Sequence, residues 1–181
     1  PKINTLAKPD SPTEYGKRGS ARYGRSRLIE TLLRYEMWEE IIQLSQTVYL
    51  ADTTIPEEQA KRLAALGAAH YSLGQEDKGS EALKEIENIS IKLKQLKLEA
   101  SAKAEEKARA EKKSDNDINK AMVEAMNKFN NRFKTINQYK AELLVYDSIH
   151  NKDEDTFKNQ LKKATRIARD RNAHLQLKIG N

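Results

Sequence analysis

The sequence contains no cysteine. Disulfide bonds, cysteine metal ligands and thiol redox chemistry are therefore excluded within its 181 residues. The absence of cysteine is compatible with both the cytoplasm and the periplasm, so it leaves the compartment open. No run reaches the roughly 18 apolar residues of a membrane-spanning helix, and we therefore expect no membrane span.

Helix breakers are also scarce, because the chain has only four prolines and seven glycines. The last proline is Pro56, and no glycine lies between Gly79 and Gly180. Such a long stretch without breakers, rich in Ala, Lys, Glu, Leu and Gln, predicts helix. With 38% hydrophobic and 6% aromatic residues, the composition suits helices that each bury one stripe. We therefore expect an all-α fold.

Motifs of known catalytic sites are missing as well. The sequence has no Gly-rich phosphate loop, no GxSxG and no HExxH. His70, His150 and His174 are far apart and lack a partner at metal-ligand spacing. The paired carboxylates Glu57-Glu58 and Glu105-Glu106 suit a helix start or a solvated face better than acid–base catalysis. We expect a protein that is not an enzyme, with no catalytic residue, metal or cofactor.

The apolar pattern divides the chain into segments. Residues 1–20, with three prolines and two glycines, indicate a linker or extended lead-in. Two helices joined at Glu36-Met37 are predicted up to Leu50. After a loop, Pro56 suits the first turn of a third helix, which ends at the C-cap Gly74. A fourth helix is predicted to begin near Lys78.

The stretch RLAALGAAHYSLG, residues 62–74, carries a repeat signature. Together with the following helix it resembles the tetratricopeptide repeat position by position, at Leu63, Leu66, Gly67, Tyr71, Gly74, Gly79, Leu83 and Ile86. The preceding hairpin matches less fully and departs at Arg25 and Ile29. The resemblance covers about residues 21–90 and implies two stacked helical hairpins. Small Gly67 and Gly79 would let the two helices approach closely.

Beyond Ile86 the helical stripe continues without a stop. We predict a protruding antiparallel coiled-coil hairpin over residues 91–137, with its tip near 112–117 and Ser114 as a helix cap. A single helix is expected from Ile118 to Tyr146, interrupted only by the polar Arg132. A closing helical hairpin follows over 138–172, and 173–181 form a tail.

The chain opens on Pro1 without an initiator Met or a signal peptide. We therefore expect it to be part of a longer polypeptide, whose targeting signals lie outside this stretch. The localisation stays open.

The favoured interpretation of function is a non-catalytic scaffold for protein–protein interaction, or a spacer between domains of a larger polypeptide. The resemblance implies that a partner would lie on a concave face built by the first helices. Its candidate contacts are Tyr23, Arg27, Glu30, Arg34, Lys61, Tyr71 and Ser72. Ala64 and Ala68 replace the Lys and Asn that grip a C-terminal carboxylate in some members, so such a clamp is not expected. The competing structural interpretation is that two repeats only support the coiled coil.

Two alternative functions remain open. A net charge of +6 permits a nucleic-acid-binding helical module. Its candidate contacts are Lys17, Arg18, Arg22, Arg25, Arg27, Lys103, Lys107 and Arg109. An exposed helix start and a hairpin kept soluble by mixed charge explain the same residues without a ligand. The chain can also be an accessory domain of a multidomain bacterial protein, for instance a thioredoxin-like one, although no residue pattern derives this.

Overall fold

The computed structural model describes residues 19–167 of the protein. Within this range the regular elements are α-helices and no strand is present, which confirms the predicted all-α class. The helices are α1 (Gly19–Arg34), α2 (Trp38–Ser45), α3 (Pro56–Ser72), α4 (Glu76–Ala110), α5 (Asp115–Asn127), α6 (Asn130–His150) and α7 (Glu154–Ile167). The predicted lead-in before residue 19, the end of the closing hairpin at 168–172 and the tail at 173–181 lie outside the described residues.

Most helix ends fall where the sequence predicts them. Glu36 separates α1 from α2 with a positive φ of 53°, and Pro56 is the first residue of α3. Gly74 closes α3 with a φ of 73°, and the Gln75 backbone N–H donates to the His70 carbonyl at 2.8 Å. Helix α4 then starts at Glu76, two residues earlier than predicted.

Close approach of α3 and α4 depends on two glycines. A Cβ atom at Gly79 would lie 2.7 Å from the ring of Tyr71. A Cβ at Gly67 would lie 2.6 Å from Leu143 Cδ1 of α6 and 3.1 Å from Ala82 Cβ of α4. Because real Cβ atoms essentially never come closer than 3.0 Å, larger residues at these positions require a shift of the neighbouring helix or side chain.

Helices α1 and α3 run in the same direction. Arg22 of α1 pairs with Glu58 of α3, and Lys61, one turn further along α3, bonds to the Ser26 carbonyl of α1. Residue numbers therefore rise together across the contact. A first core cluster joins these helices to α2, through Ile29, Leu32, Ile41, Leu50, Ala65 and Ala69.

Helix α6 continues this parallel layer on the other side of α3. Arg132 at its start pairs with Glu57, and Leu143 near its end packs on Gly67. A larger core cluster fills the space between α3, α4, α6 and α7, with Ile86 and Leu143 fully buried. The chain thus forms three helix pairs in order, α1/α2, α3/α4 and α6/α7, whose first members are parallel.

Between the second and third pairs the chain makes a long excursion. The 35-residue α4 is about 52 Å long at 1.5 Å per residue, and α5 packs back along it after a turn at residues 111–114. Lys97 of α4 lies over the Phe133 ring, whereas Glu87 of α4 pairs with Lys140. Because one number rises as the other falls, α4 and α6 are antiparallel. We call residues 91–127 the arm and the remaining described residues the body.

One prediction about the returning helix was wrong. Instead of a single helix from Ile118 to Tyr146, the chain divides into α5 and α6 at Lys128 and Phe129. Both residues keep right-handed helical dihedrals, so the break is a local tightening and not a reversal. The Asn130 side chain donates to Asn127 Oδ1 across the break at 3.0 Å. Asparagine also has a low helix propensity, so this part of the sequence supports an unbroken helix only weakly.

Among the helices at 19–167, none combines the length and the apolar character that crossing a membrane requires.

Candidate functional site

Four of the predicted partner contacts form one ridge along α1. Tyr23, Arg27, Glu30 and Arg34 are spaced by four, three and four residues, which places them on one face of the helix. Tyr23 is 61% exposed, and Arg27 and Arg34 are exposed as well. We call these four residues the α1 ridge.

The α1 ridge is held together by contacts between its own side chains. Arg27 Nε donates to the Tyr23 hydroxyl at 3.0 Å, and the guanidinium lies 5.2 Å from the centre of the tyrosine ring. Arg27 also pairs with Glu30 at 3.1 Å. These contacts raise the pKa of Arg27, the bond to Tyr23 most strongly. The arginine is therefore held in place while its guanidinium still faces solvent.

Lys61 of α3 reaches the same cluster from the neighbouring hairpin. Its ammonium donates to Glu30 Oε1 at 3.0 Å and to the hydroxyl and carbonyl of Ser26. Burial alone would raise the pKa of Glu30, but the hydrogen bond and charge of Lys61, helped by Ser26 and Arg27, lower it overall. The Glu30 carboxylate is consequently kept ionised between two cations.

Two predicted contacts do not belong to this surface. Tyr71 is only 3% exposed, because α6 packs on α3 and the ring is enclosed between Gly79 and His150. The prediction that Tyr71 lies on an open face is therefore wrong, and Tyr71 belongs to the core. Ser72, the last residue of α3, is exposed but lies beyond the cluster.

The part of the predicted concave face that carries Ala64 and Ala68 is covered by α6. Both alanines are buried in the core cluster that includes Leu143 and Tyr146 of α6. Their small size lets α6 approach α3, which is a packing role.

A polar cluster lies where α3 and α6 end and α4 begins. The buried Tyr71 hydroxyl is 3.2 Å from Ser80 Oγ, and His150 Nε2 is 3.6 Å from Glu76 Oε2. Burial raises the pKa of Tyr71 to about 12, with Ser80 opposing and Asp147 adding to the shift. These contacts join the end of α3 and the end of α6 to the start of α4.

His70 is half-buried near the end of α3. Its Nδ1 lies 2.9 Å from Gln75 Oε1, and burial lowers its pKa. Within residues 19–167 no group of three His, Asp or Glu side chains is placed to hold a metal ion.

The cations proposed for nucleic-acid contact are largely engaged within the protein. Arg22 pairs with Glu58 at 2.8 Å, and Arg25 is buried and donates to the Ala51 carbonyl. On the arm, Arg109 pairs with Glu105 at 2.8 Å. The exposed Lys103 and Lys107 lie on the same stretch of α4, and Lys107 lies 4.0 Å from Glu111. Lys17 and Arg18 lie outside the described residues.

Sequence reasoning missed the ion pairs between the hairpins. Glu57 and Glu58, interpreted as a helix start, reach in opposite directions, to Arg132 of α6 at 2.5 Å and to Arg22 of α1 at 2.8 Å. The available signal was Arg132 itself, the one polar residue in an apolar stripe. A charge at such a position indicates a counter-charge on the facing helix.

Comparisons with known proteins give no relative. No protein-family model matches the chain, no curated protein matches it, and no solved structure matches it.

Proposed function

We propose that this chain is a non-catalytic scaffold of tetratricopeptide-like helical hairpins that holds a protein partner or spaces the domains of a larger polypeptide. The observation that carries the proposal is the exposed α1 ridge at the end of a layer of three parallel first helices. A stack of this kind presents a surface at fixed geometry without needing a catalytic group.

Comparison of α1 with α3 supports a binding role for the ridge. Thirty-eight residues after Tyr23, Glu30 and Arg34, helix α3 has Lys61, Ala68 and Ser72. The alanine side of α3 is buried under α6, whereas Tyr23, Arg27 and Arg34 of α1 remain exposed. Among residues 19–167, no helix covers these three side chains in the way that α6 covers the alanines of α3. Tyr and Arg are the residue types enriched in interface hot spots.

The arm supports a spacer role in the same scaffold. We propose that α4 and the α5–α6 segment form an antiparallel coiled coil that projects from the body. The turn of the arm at 111–114 ends a stretch of α4 about 30 Å long, counted from Ile91 to Ala110. Small-angle X-ray scattering tests this part, because a projecting arm gives an elongated particle. A compact globular profile would rule it out.

A selection experiment tests the interaction role. The wild-type protein is used to select binders from a phage-displayed random peptide library. The selected peptides are then tested for binding to the double variant Tyr23→Ser/Arg34→Ser, in which only exposed positions are changed. We expect peptides that bind the wild type and not the variant. If no selected peptide depends on the α1 ridge, the proposed interaction function is wrong.

The nucleic-acid alternative has less support. Arg22, Arg25 and Arg27 all contact acidic or carbonyl groups of the protein itself. A binding titration with single-stranded RNA at about 50 mM salt tests it, since phosphate contacts give an affinity that falls steeply as salt rises.

A further inference from the structure

We propose that the α1 ridge, together with Lys61, binds an acidic peptide segment. The inference rests on the proposed interaction function and goes further, because it states the chemistry of the partner. Its first basis is charge. Arg27, Arg34 and Lys61 are three cations around the single carboxylate of Glu30.

The charge excess is accessible at the two arginines. The Lys61 side chain is mostly buried, only 11% exposed, and forms an ion pair with Glu30. The Arg27 side chain is 62% exposed. Because Lys61 already neutralises the charge of Glu30, the Arg27 guanidinium can bind a carboxylate of the partner as well. An arginine offers five N–H donors, so it can keep its bond to Tyr23 while binding a new partner.

Tyr23 gives the surface an apolar component. Its ring is 61% exposed and lies 5.2 Å from the Arg27 guanidinium. Tyrosine supplies contact area at low entropic cost, and its hydroxyl tolerates water when no partner is bound. A purely electrostatic surface would not need such a ring.

The spacing of the arginines limits the partner further. Arg27 and Arg34 are seven residues apart, which is about 10 Å along a helix axis. Acidic side chains three residues apart in a polyproline-II-like segment lie about 9 Å apart on one side. We therefore expect Asp or Glu at positions i and i+3 of the bound segment.

A peptide fits this surface better than a nucleic acid does. A nucleic acid carries one phosphate per nucleotide in an unbroken line, so a bound strand would also bring phosphates past the carboxylates that lie between and beside the arginines. The ridge places the Glu30 carboxylate between Arg27 and Arg34, and Glu58 lies beside Arg22. These carboxylates would repel a continuous line of phosphates but can be accommodated between two separated acids.

The test uses the peptides obtained from the library selection. We expect ridge-dependent peptides to be enriched in Asp and Glu three residues apart. Ridge-dependent peptides without this enrichment would overturn the acidic-partner inference and leave the interaction function intact. A selection without any ridge-dependent peptide would contradict both the interaction function and the acidic-partner inference. The two failures are therefore distinguishable.

Matched charge variants then test the contacts on one selected peptide, by fluorescence anisotropy. Arg27→Gln/Arg34→Gln removes two positive charges from the α1 ridge, and Lys103→Gln/Lys107→Gln removes two from the arm. We expect the ridge variant to bind at least about tenfold more weakly and the arm variant to bind like the wild type. Equal losses in the two variants, or displacement of the peptide by single-stranded RNA, would contradict the proposal. Thermal unfolding, followed by circular dichroism, is the control that both variants are folded.

Discussion

The body and the arm are both helical but are stabilised differently. In the body, α3 touches α1, α2, α4 and α6, and large side chains such as Ile41, Ile86 and Leu143 are fully buried. In the arm, α4 and α5 form a single layer with four buried residues, two large and two small: Leu93, Ile118, Ser101 and Ala108. Since buried apolar area is the main stabilising term, the body is expected to be the more stable region.

Exposed apolar residues show the same contrast. On the arm, Ile91 and Leu98 are 53% and 67% exposed, on the face of α4 opposite the buried Leu93. Among the described residues, no third helix covers this face. The difference teaches that the arm depends on helix propensity and on packing between two helices, whereas the body depends on packing between many elements.

Substitutions that leave a cavity are expected to change the free energy of unfolding most, and to change it more in the body than in the arm. Leu143→Ala removes a fully buried side chain beside Gly67 and should lower the free energy of unfolding by about 2–5 kcal/mol. Ile118→Ala in the arm should cost less, because the two-helix layer can collapse onto the space. Urea denaturation gives the free energies of unfolding. Equal losses in the two variants would contradict the contrast between body and arm.

The glycine variants should have opposite signs. Gly79→Ala forces a methyl group to within 2.7 Å of the Tyr71 ring and should destabilise the body by about 1–3 kcal/mol. Gly24→Ala is the control, because no atom lies within 4 Å of its Cβ position on the exposed side of α1. We expect it to stabilise the protein by up to about 1 kcal/mol through helix propensity. Melting temperatures of the two variants decide this, and a destabilising Gly24→Ala would show that α1 is not an open helix there.

Alkaline pH should affect the body through Tyr71. Its pKa is about 12 in the folded protein, chiefly because of burial, and about 10 in an unfolded chain. Between these values the unfolded state binds fewer protons, so stability falls as the pH rises from about 10 to about 12. Tyr71→Phe lacks this loss. The stability of the variant relative to the wild type should stay constant below pH of about 10 and improve above it, as measured by denaturation at a series of pH values.

The smallest expected effect on overall stability comes from the caps of the two regions. Ser114 Oγ accepts from the Asp117 backbone N–H at the start of α5, and Asp153 Oδ1 accepts from the Thr156 N–H at the start of α7. Loss of such a cap costs about 1 kcal/mol. In hydrogen exchange, Ser114→Ala should speed exchange in α5 and spare α7, and Asp153→Ala should do the reverse. Faster exchange throughout the chain in Ser114→Ala would mean that the arm and the body unfold together.

Local signals made most helix boundaries predictable. Pro56, Gly74 and Ser114 act on their own backbone neighbours, and each marks a helix end in the structure as expected. The turn at 151–153, where Lys152 takes a φ of 55°, lies within the predicted closing hairpin. The break at Lys128 and Phe129 was not predicted, because the flanking Asn127 and Asn130 are ordinary if weak helix residues and give no definite stop.

The candidate site was predictable only in part, for a physical reason. Helical spacing put Tyr23, Arg27, Glu30 and Arg34 on one ridge, but the same spacing put Tyr71 on a corresponding face of α3. Whether a face is open depends on what packs against it, and His150 of α6, which lies against the Tyr71 ring opposite Gly79, is 79 residues away in sequence.

By itself, the sequence determined the all-α class, the positions of most turns and the residues that can share a helix face. These properties follow from backbone preferences and from interactions within a few residues. Only the tertiary structure decided that α1, α3 and α6 run parallel, that Glu57 and Glu58 join them through Arg132 and Arg22, and that the α1 ridge stays exposed while Tyr71 is buried. Those outcomes depend on contacts between distant segments, and such contacts leave only weak traces in a single sequence.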